Sequence, residues 1–161
     1  EAMSVSERLA RIIPMLVEFF VLTIIVIGVH EYGHNIVAHW LGVPGHVEFT
    51  PLGGFFFYDS PATLERWQQV LVAFGGGGIT ALLSGILWAM FHWQGHYEPG
   101  NLDEAAIMSG ITVVQAIYAI GEGVKAWLPW APWWSQLVGV LVAVAVVALL
   151  YARRILAWWE G

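Results

Sequence analysis

The chain has 161 residues, of which 58% are hydrophobic and 11% charged, and its formal net charge is −6. A soluble domain of this length could not bury so much apolar surface, so the composition is that of an integral membrane protein in contact with membrane lipids. The sequence has no cysteine, which excludes disulfides and thiolate chemistry. It also has no basic patch, which argues against nucleic acid as a partner.

Apolar runs predict about four membrane-spanning helices, because each run has about the 20 residues that a hydrocarbon core of roughly 30 Å requires. Tryptophan and tyrosine cluster at the predicted helix ends, as expected for residues at the membrane interfaces. No internal repeat or second soluble domain is evident, so residues 1–161 are predicted to form one membrane-embedded domain of a multi-pass protein. The predicted helices are Ile12–Leu41, Trp67–Trp93, Glu104–Trp127 and Trp133–Tyr151.

A short β-hairpin is predicted between the first two helices. Val47–Thr50 and Phe55–Tyr58 are rich in β-branched and aromatic residues, as is typical of strands. The turn residues between them are Pro51, Leu52, Gly53 and Gly54. The sequence therefore predicts an all-α membrane protein with about four transmembrane helices and a short membrane-associated β-hairpin between the first and the second.

The first predicted helix carries His30, Glu31 and His34 with the spacing HExxH. Positions four apart lie on one helix face about 6 Å from each other, so two imidazoles can bind one metal ion. The glutamate can then act as general base toward an attacking water. The alternative is a pair of packed histidines and a buried glutamate. Three ionisable groups in hydrocarbon are costly unless they are paired or bind something, which favours the metal.

The motif extends over His30–Val43 as HExGHxxxAxxxGV, which resembles the first catalytic helix of the site-2 protease family of intramembrane zinc metalloproteases. Phe49–Phe55, with its PLGG turn, is similar to the membrane-inserted hairpin that lies beside the substrate in that family. The resemblance covers about residues 12–125. It implies a Zn²⁺ enzyme that hydrolyses a peptide bond in the transmembrane segment of another protein, with Glu31 as catalytic base and the hairpin turn positioning the substrate.

The second predicted helix departs from the family pattern. Gly76–Thr80 stands where the family usually carries GPxxN, so that Gly77 replaces the proline and Thr80 the asparagine. The resemblance makes Thr80 a candidate substrate-positioning residue. The alternative is that the glycines Gly75–Gly78 form a close helix-packing surface.

The third zinc ligand of the family is an aspartate in an LDG sequence, which this chain lacks. Glu122 stands where that aspartate should be, and a glutamate can complete a His-His-carboxylate site equally well. Depth in the membrane also favours Glu122, because the first and third predicted helices run in the same direction and end on the same side. At 1.5 Å per residue the motif histidines lie roughly 10 to 17 Å from that end of their helix. Glu122 lies about 8 Å from the same side, whereas Asp103 lies about 36 Å from it. The alternative is an ion pair between Glu122 and Lys125.

Gln115, Tyr118 and Glu122 fall on one face of the third helix at helical spacing. We therefore expect Gln115 and Tyr118 to orient the carboxylate or the substrate.

Two alternatives to a protease remain open at the level of sequence. The first is a non-proteolytic structural or assembly subunit of a larger membrane complex that keeps a site-2-protease-like fold, which the altered third-ligand and GPxxN motifs suggest. Its partners would be other membrane subunits. The intact HExxH counts against it, because such a subunit has no chemical need for Glu31. The second is a transport or metal-handling protein that uses the histidines as a relay.

Overall fold

The computed structural model describes residues 5–50, 53–59, 64–94 and 104–128, with a few single positions between 130 and 149. The predicted turn residues Pro51 and Leu52 and most of the fourth predicted helix lie outside the described residues. The described elements, in chain order, are helix α1 (Val5–Trp40), strand β1 (Gly45–Thr50), strand β2 (Gly53–Tyr58), helix α2 (Arg66–Trp93) and helix α3 (Glu104–Trp127).

All three described helices are long and apolar enough to cross a membrane. The qualifying segments are Phe20–Trp40, Arg66–Trp93 and Ile107–Trp127. Their outward faces carry exposed branched side chains, as expected for a surface that meets lipid tails. Among them are Ile24, Ile25, Leu82, Leu83, Ile86, Ile120 and Val124. Three of the about four predicted helices are therefore confirmed as helices that are long and apolar enough to span a membrane.

Helix α2 lies between α1 and α3 and runs antiparallel to both. Glycines allow this close packing, because a Cβ on Gly33 of α1 would lie 2.6 Å from the Gly75 carbonyl oxygen, and one on Gly77 would lie 2.6 Å from that of Gln115 in α3. Farther along α2 the Thr112 hydroxyl donates to Ser84 at 2.9 Å. Between the described parts of α1 and α3, in contrast, no two Cα atoms lie within 8 Å. A slot therefore separates these two helices.

The chain leaves α1 through a glycine turn that directs the hairpin back onto the helix. Gly42 has φ +75, and the Val43 and Gly42 amides donate to the Ala38 and His39 carbonyls at 2.9 and 3.0 Å. This is a Schellman motif, which favours glycine at the left-handed position. The turn places β1 directly after the end of α1.

The predicted β-hairpin is confirmed, with both strands two residues longer than the sequence indicates. The strands pair antiparallel in a register that joins Gly45 to Tyr58 and Thr50 to Gly53. The hairpin packs on α1, where a Cβ on Gly54 would lie 2.7 Å from Cγ of Glu31. Strand β2 therefore borders the segment of α1 that carries the HExxH motif.

Candidate metal centre

Three side chains from two helices converge on one point in the slot between α1 and α3. His30 and His34 lie one turn apart on α1 and are only 7% and 9% exposed. Their Nε2 atoms are 3.1 Å apart, and Oε2 of Glu122 on α3 lies 3.3 Å from the first and 3.7 Å from the second. These residues are the group of three among the described residues that could hold a metal ion.

The spacing of these atoms fits a metal ion. Two ligand atoms bound to a tetrahedral zinc at about 2.0 to 2.1 Å lie roughly 3.3 Å from each other. The three observed separations lie between 3.1 and 3.7 Å. Glu122 Oε2 is also buried without a hydrogen-bond donor, and a buried carboxylate oxygen in that condition is costly unless a cation compensates it. The donor set of two imidazoles and one carboxylate therefore fits a divalent metal.

The outer nitrogens of both histidines are held by neighbouring helices. Nδ1 of His30 donates to the Gln115 side-chain oxygen at 3.0 Å, and Nδ1 of His34 donates to the Val72 carbonyl oxygen at 2.7 Å. With the proton on Nδ1, each Nε2 presents its lone pair to the centre. Such outer contacts fix both the tautomer and the ring orientation of metal ligands. Gln115 thus holds a histidine, and its expected role toward the carboxylate or the substrate stays a prediction.

A glycine lets α2 approach the histidine pair. A Cβ on Gly76 would contact His34 Nε2 and would lie 2.8 Å from His30 Nε2. Any larger residue would therefore occupy the space between the ligand atoms. The alternative interpretation of Gly75–Gly78 as a packing surface describes this helix well, because Gly75 packs on α1 and Gly77 on α3.

Glu31 lies beside the converging atoms and faces the hairpin. It is partly buried, and the Phe56 backbone N–H lies near its carboxylate. Glu31, His34 and Glu122 line one cavity of about 680 Å³. A reactant in that cavity would meet both the ligand atoms and the Glu31 carboxylate, which is the arrangement a general base requires.

Of the other predicted site residues that the structure describes, two line this cavity and two do not. Tyr118 and Gly54 line it, and the Tyr118 ring centre is 5.2 Å from that of His30. Thr80 is buried one turn beyond Gly76 and donates to the Gly76 carbonyl at 2.8 Å. Gly53 has φ +144 in the hairpin turn, a conformation that side chains rarely adopt.

Three contributions to the site have no sequence signature that reveals them. They are the Val72 carbonyl behind His34, the Phe56 amide beside Glu31, and the absence of a side chain at Gly76 between the two histidines. The run of glycines in a spanning helix indicates that another helix comes close. It does not indicate which residues that helix presents.

Comparison of the chain with protein-family models, with curated proteins and with solved structures gives no match. The functional inference therefore depends on the geometry of the site.

Proposed function

We propose that this chain is an intramembrane zinc metalloprotease that hydrolyses a peptide bond in the transmembrane segment of a protein substrate. The observation that carries the proposal is the convergence of His30, His34 and Glu122 beside Glu31, in a cavity between helices long and apolar enough to span a membrane. Three protein ligands are the number that catalytic zinc sites use. A closed structural site would have four.

The donor set favours zinc among the common divalent metals. Two imidazoles and one carboxylate suit Zn²⁺, whereas Mg²⁺ and Ca²⁺ prefer sites built from oxygen alone. A zinc ion bound by these residues would supply Lewis-acid polarisation of the peptide carbonyl and would lower the pKa of water to about 7.

The chain's own residues would perform the proton transfer and hold the geometry. Glu31 takes the proton of the attacking water on its carboxylate and passes it to the leaving amine. Gln115 and the Val72 carbonyl keep the imidazoles oriented. Tyr118 lines the same cavity, and its phenol can donate a hydrogen bond to a substrate carbonyl.

The free edge of β2 would hold the substrate in an extended conformation. Along an antiparallel strand, the backbone N–H and C=O groups of successive residues point alternately toward the partner strand and away from it. The Asp59 amide donates to the Pro44 carbonyl on the β1 side, and the Phe56 amide lies near the Glu31 carboxylate on the other side. The backbone groups of Phe56, and of Gly54 and Tyr58 two positions to either side, therefore face the cavity. Strand addition at such an edge exposes the carbonyls that a helical substrate hides.

Replacement of Glu31 by Gln tests the proposal. The isosteric amide cannot accept a proton, so cleavage of a synthetic transmembrane substrate should fall by about 10²- to 10⁴-fold, while zinc content stays at one per chain. Glu18→Gln is the matched control, because Glu18 lies exposed on the same helix and should leave both quantities unchanged. Full cleavage by Glu31→Gln would refute its role as base, and loss of zinc would make it a ligand. Zinc-loaded wild-type protein without any cleavage would favour the non-proteolytic subunit.

A further inference from the structure

The cavity at the metal centre continues toward the ends of α1 and α3. Its lining includes His34, Tyr118 and Glu122 at one end and Gln69, Lys125 and Ala126 at the other. At 1.5 Å per residue, Lys125 lies about 4.5 Å beyond Glu122 along α3, and Gln69 lies about 10 Å beyond Gly76 along α2. The cavity thus extends one to two helical turns past the converging atoms.

The charges along the cavity differ between its two ends. The inner end holds the carboxylates of Glu31 and Glu122, and Lys125 is the one cation among the residues that line the cavity. A divalent metal would balance the two carboxylates, and Lys125 brings a positive charge to the outer end.

Three acidic residues among those described have partners elsewhere. Glu65 accepts a hydrogen bond from the Trp67 indole at 2.6 Å, and both Glu48 and Asp59 pair with His46. None of the three lines the cavity. Lys125 interacts within the chain already, so an incoming anion would join or replace that interaction.

We propose that Lys125 and Gln69 form a subsite for a carboxylate of the substrate, one to three residues from the scissile bond on the side where α1 and α3 end. An extended chain rises about 3.3 Å per residue, so one to three residues cover the distance from the converging atoms to Lys125. A carboxylate accepts from both an ammonium and an amide NH₂. The Gln69 amide nitrogen donates one of its two N–H groups to the Leu64 carbonyl at 2.9 Å, and the other would serve the carboxylate. The inference deepens the proposed function and rests on it for the position of the scissile bond.

A phosphate of an anionic lipid headgroup is the other occupant with suitable chemistry. Lys125 shares its cavity with Glu31 and Glu122, and a lipid bound there would block the approach of substrate to both. Lys125 is also only partly exposed, whereas lysines that bind headgroups extend to the interface. The position therefore favours a substrate carboxylate.

Peptide binding tests the subsite without requiring turnover. The probes are synthetic peptides with about 20 apolar residues and one Asp at successive positions beyond the apolar segment, each matched by the Asn peptide. They are titrated onto the zinc-loaded Glu31→Gln protein in nanodiscs of phosphatidylcholine. One Asp position should bind about tenfold tighter than Asn. Lys125→Met should abolish this preference, Lys125→Arg should keep it, and Lys125→Glu should transfer it to the Lys peptide.

Arg66→Met is the matched control, because Arg66 is an exposed cation at the start of α2 that does not line the cavity. It should leave the preference unchanged. Equal binding of Asp and Asn peptides at every position, absence of binding, or a preference that survives in Lys125→Met would overturn the subsite. An effect of Lys125 that requires phosphatidylglycerol and is equal for both peptides would assign the site to lipid. If the Asp preference depends on Lys125 but the wild-type protein cleaves no peptide, the proposed protease function fails and the subsite stands.

Discussion

Two clusters of histidine and carboxylate occur among the described residues, and one of the two is arranged to bind a metal. In the metal centre, two Nε2 atoms and one carboxylate oxygen point at a common centre and are buried. In the hairpin cluster, which consists of His46, Glu48 and Asp59, one imidazole stands between two carboxylates. Asp59 lies 2.6 Å from its Nδ1 and Glu48 lies 3.2 Å from its Nε2.

The comparison shows that convergence, and not residue type, makes a metal site. The two nitrogens of one imidazole point in opposite directions, so the carboxylates of the hairpin cluster cannot share a metal with His46. They stabilise its protonated form instead. Hydrogen bonding to Asp59, and then to Glu48, raises the pKa of His46 above its ordinary value. The same residue types thus give a ligand set when buried and convergent, and a titrating ion cluster when exposed.

The largest expected difference between the clusters is in metal binding. His34→Ala and Glu122→Gln should each abolish stoichiometric zinc, because two remaining ligands cannot hold a catalytic zinc ion. The matched changes His46→Ala and Glu48→Gln should retain it. Metal analysis of the purified proteins measures this directly.

The same four variants can be tested through thermal stability. Zinc should stabilise the wild-type protein by about 2.7 kcal/mol at a free concentration 100 times its Kd. That increase should vanish in the metal-centre variants and persist in the hairpin variants. Zinc loss in the hairpin variants would show that the two clusters act together.

Filling the space between the ligand side chains should lower zinc affinity almost as strongly as removing a ligand. Gly76→Ala introduces a methyl group at the two Nε2 atoms, and both rings are held from behind by Gln115 and Val72. We expect zinc affinity to fall on the order of 100-fold, since the rings cannot move aside without losing these contacts. Competition with a chelator of known affinity measures the change.

Gly85→Ala is the control for that substitution. It lies on the same helix, and its Cβ would meet only Thr112, at 3.5 Å or more. Alanine favours a helix over glycine by about 1 kcal/mol, so both variants should fold. Equal zinc affinity in the two would show that α2 does not confine the ligands.

Removal of the contact behind His30 should have a smaller effect. Gln115→Leu deletes the acceptor of the Nδ1 proton, which should lower zinc affinity by about 10- to 100-fold, as is usual for residues behind a metal-bound histidine. Gln69→Leu is the control, because Gln69 lines the cavity but bonds to the Leu64 carbonyl. A Co²⁺ absorption spectrum that changes in Gln115→Leu and not in Gln69→Leu would distinguish altered orientation from loss of folding.

The smallest effect should be a pH dependence of the hairpin. Since the pKa of His46 is raised in the folded protein, its ion pairs contribute stability fully below about pH 6.5, the ordinary value. That contribution is lost as the pH rises through the raised folded pKa. The rate of amide exchange in β1, corrected for its intrinsic dependence on pH, should therefore increase by roughly a few-fold as the pH rises from about 6.5 through the raised pKa of His46. The dependence should be absent in His46→Gln, and its survival there would assign it to another group.

The sequence alone determined the local features of this protein. The helix predicted at Glu104–Trp127 has those bounds in the structure, and the one predicted at Trp67–Trp93 begins one residue earlier. Their length and apolarity are properties of a continuous segment. The same is true of the β-branched and aromatic composition that marks the hairpin strands and of the four-residue spacing that places His30 and His34 on one face. Such patterns act over a few residues and can be found without knowledge of the fold.

Only the tertiary structure decided what meets the histidines. The sequence ranked Glu122 above Asp103 by depth, but its position 3.3 Å from His30 depends on how far apart α1 and α3 are held by the α2 between them. That spacing depends on which glycine faces which helix. The Val72 carbonyl and the Phe56 amide join the site as backbone groups, which every residue carries and no sequence motif distinguishes. A metal centre is set by distances of a few ångströms between segments far apart in the chain, and packing alone determines those distances.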